Sequence, residues 1–308
     1  MTGAAAPTEA PVRLDVTALF AVAFTIVVWA SSFAVIRICL DFLTPIELST
    51  ARYVSAGLLG LVYLASRWTP LMPRDIWRVS VAAILLIAVY SILLNAGEKT
   101  VPAGPASFIM NTMPVFAALI ATVVLREQFG PWAWIGTALS LFGVALIAVG
   151  ADGGLGFDPN ALLVLGAALS SAIANILQKP VLGRMPALSV TAWVLLIGSA
   201  PLLPAVPSTV KALLVAPATV NWGVIYLVIF PTAIGYLTWS IVLKRFSAAR
   251  ATNFLYAVPP TASLIGFAWL GETPAPVSAL GSGLAVVGVI LVNVMRRRSP
   301  PIQSPVPS

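Results

Sequence analysis

Apolar residues run along the chain in long blocks, each ended by Pro, Gly or a short charged cluster. The blocks cover approximately 16–36, 46–66, 77–97, 101–125, 131–150, 159–179, 187–206, 222–243, 250–270 and 275–295. About 20 apolar residues in a helix span the hydrocarbon of a bilayer, so the pattern predicts ten transmembrane helices. Pro102, Pro131 and Pro159 stand where a first helical turn tolerates a missing N–H. Asp158, just before Pro159, is placed to act as an N-cap.

Polar residues recur inside some blocks at spacings of three, four and seven, which puts each set on one helix face. The first block has Thr25, Trp29 and Ser32. The third has Ser91, Asn95 and Glu98, with Tyr90 beside them, and the fourth Ser107 and Asn111. The sixth has Ser171, Asn175 and Gln178. The eighth has Thr232, Tyr236, Trp239 and Ser240, and the ninth Asn253 and Tyr256. The second and seventh blocks keep most polar groups near their ends. The fifth and tenth carry small residues instead: Gly136, Ser140 and Gly143 against Gly281, Ala285 and Gly288. Small residues let two helix backbones approach closely in a membrane.

The chain also repeats itself. Residues 103–149 match residues 248–294 at a constant offset of 145, without a gap. Pro114 falls on Pro259, Glu127 on Glu272, Pro131 on Pro276, Gly136 on Gly281 and Gly143 on Gly288. One unit was duplicated and fused. The polar blocks are 1, 3 and 4 in one half and 6, 8 and 9 in the other, which are equivalent positions. The expected organisation is a polar tail at 1–15 and a five-helix unit at 16–150. A Gly-rich linker at 151–157, a second five-helix unit at 158–295 and a tail at 296–308 complete it.

Composition agrees with a membrane protein. Hydrophobic residues make up 59% and charged residues 9%, whereas a soluble domain carries about 25% charged residues. Residues 1–15 are polar and do not read as a cleavable signal peptide. With both termini on the cytoplasmic side, that side carries 13 of the 17 basic residues, as the positive-inside bias requires. Arg37, Arg52, Lys99 and Lys211 fall on the other side. The net charge of +7 thus reflects basic loops rather than nucleic-acid binding. Five spans per half is an odd number, so the two halves enter the bilayer in opposite senses as an inverted repeat.

The chemistry available is narrow. Histidine is absent, and Cys39 is the single cysteine. No metal-ligand cluster or nucleophile–base pair suggests an enzyme, and no cofactor is expected. Pro114 and Pro259 lie mid-span and free the carbonyls of Met110 and Leu255. Broken helices with exposed backbone are typical of transport sites. Glu127 and Glu272 read as supports at helix N-termini. Arg37 and Lys179 read as snorkelling residues ahead of the alternative, binding of an anionic group, and Lys99 and Lys244 as interface anchors. No cation stands out at the centre, so a substrate carboxylate would rely on amides and hydroxyls.

The run from Ala103-Gly104-Pro105-Ala106-Ser107 through Pro114 to Leu125-Arg126-Glu127 and Gly136–Gly143 resembles the EamA repeat of the drug/metabolite transporter superfamily. Ala248–Pro259, Leu270-Gly271-Glu272 and Gly281–Gly288 resemble it again. Trp29-Ala30-Ser31-Ser32-Phe33 is similar to the motif of its first helix, with Ala30 where glycine is common. The resemblance covers nearly the whole chain. It implies ten helices, both termini inside, and most often metabolite export. Within the superfamily the chain is most similar to YddG-type exporters of aromatic and other neutral amino acids.

The expected fold is therefore all-α integral membrane, ten transmembrane helices as two inverted five-helix repeats. The expected function is export of small neutral metabolites, foremost aromatic or other neutral amino acids, by alternating access through a central cavity. The expected location is the bacterial inner membrane. Substrate is expected between the halves, near Trp29, Tyr90, Asn111, Asn175, Tyr236, Trp239 and Tyr256. The expected partners are a small molecule of amino-acid type and membrane lipids, with no nucleic acid; the sequence leaves the oligomeric state open and is compatible with a monomer. A nucleotide-sugar or drug carrier, or a lipid flippase, are the alternatives.

Overall fold

A computed structural model describes residues 16–125, 131–150, 158–245 and 254–296. Among them the chain is helical, without a strand. Helix α1 spans Val16–Leu40 and α2 spans Pro45–Ser66. A capping box starts α2: Glu47 N–H donates to Thr44 Oγ1 at 3.3 Å, and Thr44 N–H donates to Glu47 Oε2 at 2.9 Å. Helix α3 spans Pro73–Gly97 and contains a π segment, Ile84–Val89.

The fourth apolar block forms two helices, α4 (Ala103–Met110) and α5 (Met113–Leu125). They meet at a turn over Asn111 and Thr112. Pro114 has no N–H for the Met110 carbonyl, so the helix breaks where the sequence places its proline. Helix α6 spans Pro131–Gly150, and α7 spans Asn160–Leu182. Pro159 itself is the N-cap of α7, but Asp158 Oδ1 accepts from Asn160 N–H at 2.8 Å and supplies the expected side-chain cap.

Helix α8 runs Ala187–Val215, longer than the apolar block, through a 3-10 segment Ala200–Ala205 that absorbs Pro201 and Pro204. Helix α9 consists of Ala218–Leu227, a π segment Val228–Ile234 and Gly235–Arg245. The two π segments fall at the offset of the sequence repeat. Helix α10, Val258–Leu270, follows a 3-10 turn at Leu255–Ala257 and ends on Gly271. Gly271 has φ 66°, the left-handed cap that a side chain would strain. Helix α11 spans Pro276–Arg296.

Six of these helices are long and apolar enough to cross a membrane: α1, α2, α3, α7, α8 and Ala218–Trp239 of α9. Shorter apolar helices accompany them. Trp68, Trp77, Trp132, Trp134, Trp222 and Trp269 are exposed at or near helix ends, the positions of an interfacial aromatic belt. Helix α1 has the most buried span and packs on α9 and α10. Helix α3 packs on α7, and α2 on α8.

Helices α6 and α11 pack backbone to backbone, as their small residues predict. A Cβ on Gly143 would lie 2.5 Å from the Gly281 carbonyl oxygen, and one on Gly136 would lie 2.8 Å from that of Gly288. Such contact replaces side-chain interdigitation with close van der Waals packing.

Candidate functional site

The site begins with a proline in the middle of α9. Pro231 has no N–H to offer the Leu227 carbonyl. The Thr232 hydroxyl donates to that carbonyl instead, at 2.8 Å. In the π register Gly235 N–H turns to the Phe230 carbonyl, and the Pro231 carbonyl accepts from Trp29 Nε1 of α1 at 3.0 Å. Gly235 permits this approach, because a Cβ there would sit 2.8 Å from the indole nitrogen.

Trp29 then meets two rings of α9. Its centroid lies 6.1 Å from that of Tyr236, near edge-on, and 5.5 Å from that of Trp239. Both separations suit favourable aromatic pairing. Tyr90, on α3, lies within electrostatic reach of Tyr236 and Tyr53. Four of the seven expected binding residues therefore gather around α1, α3 and α9.

The other three form a second group. Asn111 Nδ2 donates to the Leu255 carbonyl at 3.3 Å, the very carbonyl that Pro259 leaves free. Tyr256 is the next residue and packs against the cluster of Val115, Val289 and Val292. Asn175 is exposed, with Nδ2 3.2 Å from Met113 Sδ.

Part of each polar stripe serves helix packing. Thr25 and Thr238 share a 2.7 Å hydrogen bond, and Asn95 Nδ2 donates to Ser49 Oγ at 2.9 Å. Ser107 and Gln178 bond within their own helices. Asn253 and Glu127 lie outside the described residues.

Three charge assignments change. Arg37 does not snorkel: its Nε lies 3.2 Å from Glu272 Oε1, and Nη1 donates to the Glu98 carbonyl at 2.7 Å. Glu272 does support a helix N-terminus, but that of α4 rather than α11. Its Oε2 accepts from Ala103 N–H at 2.9 Å, across the two halves. No cation stands out at the centre of the sequence pattern, yet Arg52 reaches the π segment of α9. Half-buried on α2, its Nε donates to Thr232 Oγ1 at 3.1 Å, and its guanidinium lies 4.9 Å from the Tyr53 ring centre. Arg52 is also within electrostatic reach of Tyr90, Tyr236 and Glu98. Its place in a polar-to-apolar transition of the second block was the available signal; Pro231, a mid-span proline, was the other.

Glu98 sits just past the end of α3, fully buried, with neither carboxylate oxygen hydrogen-bonded. Burial pushes its carboxyl well above the ordinary carboxylate range, against the opposing pull of Arg37.

A multi-pass helical bundle in which aromatic and polar groups of both halves meet is the architecture of a small-molecule transporter. The model of the EamA-like transporter family matches residues 16–149 and again 159–294, and the chain belongs to that family. It is 37% identical over 282 residues to a probable terminal-alkyne amino-acid exporter of Streptantibioticus cattleyicolor, covering 90% of this chain and 93% of the relative. It is 25% identical over 285 residues to a probable amino-acid metabolite efflux pump of Salmonella typhimurium, covering 89% and 94%. A crystal structure 21% identical in sequence shares the fold, with a TM-score of 0.58 over 92% of this chain and 98% of that one. The family and these relatives point to transport rather than catalysis.

Proposed function

We propose that this protein exports small neutral metabolites, foremost amino acids with aromatic or other apolar side chains. One observation carries the reading: Trp29 of the first half meets Tyr236 and Trp239 of the second. That junction offers an apolar wall to a side chain, and it changes shape if the halves rock. Relatives named for export of terminal-alkyne amino acids and amino-acid metabolites support the same substrate class. Asn111, Asn175, Tyr90 and Tyr256 complete the proposed binding set.

The proposed mechanism is alternating access between two five-helix halves of opposite orientation, ten spans in all. The pairing of helices supports it. Helix α1 packs on α9 as α7 packs on α3, and α1 packs on α10 as α7 packs on α4 and α5. These contacts exchange when the halves are swapped, as a two-fold relation requires. The basic-residue bias supports both termini on the cytoplasmic side of a bacterial inner membrane.

Counterflow in proteoliposomes tests the function. Vesicles loaded with unlabelled phenylalanine, leucine or propargylglycine should accumulate the labelled counterpart, and Trp239→Ala should weaken or redirect this. No exchange of any neutral amino acid by folded protein rejects the reading. Exchange of a nucleotide sugar or cationic drug alone would favour the carrier alternative.

A further inference from the structure

Arg52 carries a charge that the fold leaves incompletely used. It lies seven residues past Pro45, the start of α2, or roughly 10 Å along the helix at its standard rise. Its Nε–H is spent on Thr232. A guanidinium has further N–H donors on its two terminal nitrogens, and among the described residues none of these has an acceptor. Neither of the two ion pairs among the described residues includes Arg52. Glu98 is within electrostatic reach, yet is not paired with it.

Two neighbours hold the guanidinium. The Thr232 hydroxyl proton goes to the Leu227 carbonyl, so the Thr232 oxygen is available as acceptor to Arg52 Nε. The Tyr53 ring flanks the guanidinium. Thr232 adjoins Pro231, whose carbonyl holds Trp29, and Tyr236 follows one turn later. An isolated cation at this depth in a membrane bundle marks a functional position. Two terminal N–H groups of a guanidinium match a carboxylate as a bidentate pair.

We propose that Arg52 is the receptor for the substrate's carboxylate, while the substrate's apolar side chain packs on Trp29, Tyr236 and Trp239. This rests on the amino-acid reading above and adds a charge requirement to it: the substrate must be a carboxylate, and its amide is a poor ligand. Pro231 acts through Thr232 to aim the guanidinium.

The test is binding to the full-length protein in nanodiscs, with L-phenylalanine and L-phenylalaninamide as matched probes. Arg52→Gln should weaken phenylalanine binding about tenfold to a hundredfold and leave the amide within about twofold. Arg52→Lys should fall between, since an ammonium lacks the planar fork; it also carries the test if Arg52→Gln does not fold. Equal losses for both probes, or an undiminished carboxylate preference in a folded variant, overturn the proposal, as does a wild-type protein with no such preference. If the wild type binds no neutral amino acid, the functional reading fails separately. The pair 3-phenylpropanoate and 3-phenylpropanamide then reads Arg52 alone: loss of the anion's advantage in Arg52→Gln supports its role, and retention or absence of that advantage rejects it.

Discussion

Arg37 and Glu272 stand 235 positions apart in sequence and 3.2 Å apart in space, one from each half of the chain. Glu272 uses its other oxygen on Ala103 N–H, so it closes an ion pair and the N-terminus of α4 together. Arg184 and Asp75 make a second pair between the halves, at the opposite end of α3 from Glu98. Removing the carboxylate charge should loosen the first junction. Glu272→Gln is expected to lower stability by about 1.5–3 kcal/mol, the range for a hydrogen bond to a charged group. Thermal unfolding in detergent measures this, and a double-mutant cycle with Arg37→Gln should give a coupling of the same sign. Additive losses would show that the two residues act independently.

The α6–α11 contact should tolerate no added carbon. Gly143→Ala places a methyl 2.5 Å from the Gly281 carbonyl oxygen and is expected to cost about 1–3 kcal/mol by overpacking. Gly283→Ala is the control on the same helix pair, because nothing lies within 4 Å of its Cβ. It should be neutral or stabilising by up to about 1 kcal/mol through helix propensity. Equal melting temperatures for the two variants would contradict the close packing.

Glu98 predicts a pH dependence. Its folded pKa is raised above the ordinary 4.5, so the folded state holds the proton more tightly than the unfolded chain. Below pH 4.5 the group carries no penalty. As pH climbs from there towards the raised value, stability falls. Glu98→Gln removes the titration, and melting temperature should decline less steeply with pH than in the wild type. Parallel pH profiles for the two proteins would show that Glu98 is ionised when folded.

Gly235→Ala addresses the Trp29 junction. The new methyl would crowd the indole nitrogen at 2.8 Å and displace it from the Pro231 carbonyl. Stability is expected to fall by about 1 kcal/mol, the loss of one neutral hydrogen bond within the protein, and phenylalanine affinity to fall as the indole leaves its place. Unaltered affinity in isothermal titration would place the substrate elsewhere.

Topology is open to cysteine labelling with little background, because Cys39 is buried. A cysteine introduced at Gly154 in a variant of otherwise native sequence is expected to react from the periplasmic face. A reporter fused after Ser308 should stay cytoplasmic. A cytoplasmic Gly154 would remove the argument for oppositely inserted halves.

Much of the helical layout was legible from one-dimensional pattern, since helix formation and breakage are local. The break at Asn111–Thr112 follows from a missing N–H at Pro114, and the start of α6 falls on Pro131. The close approach of α6 to α11 was readable from Gly136, Gly143, Gly281 and Gly288, because only a missing side chain allows backbones to touch. A period of 3.6 residues reports a face, and it put Trp29, Tyr236 and Trp239 on polar faces of helices whose rings lie against one another. That same period reports neither depth nor neighbour. Arg52 was counted with the loops because a tally of charges ignores how far along a helix each one lies. Its partner Thr232 comes from a different half, 180 positions away. The pairing of Arg37 with Glu272, and the hold of Asn111 on the carbonyl freed by Pro259, likewise depend on which helices lie side by side. Helix contacts are set by the fit of whole surfaces, and only the folded bundle decides which polar groups meet.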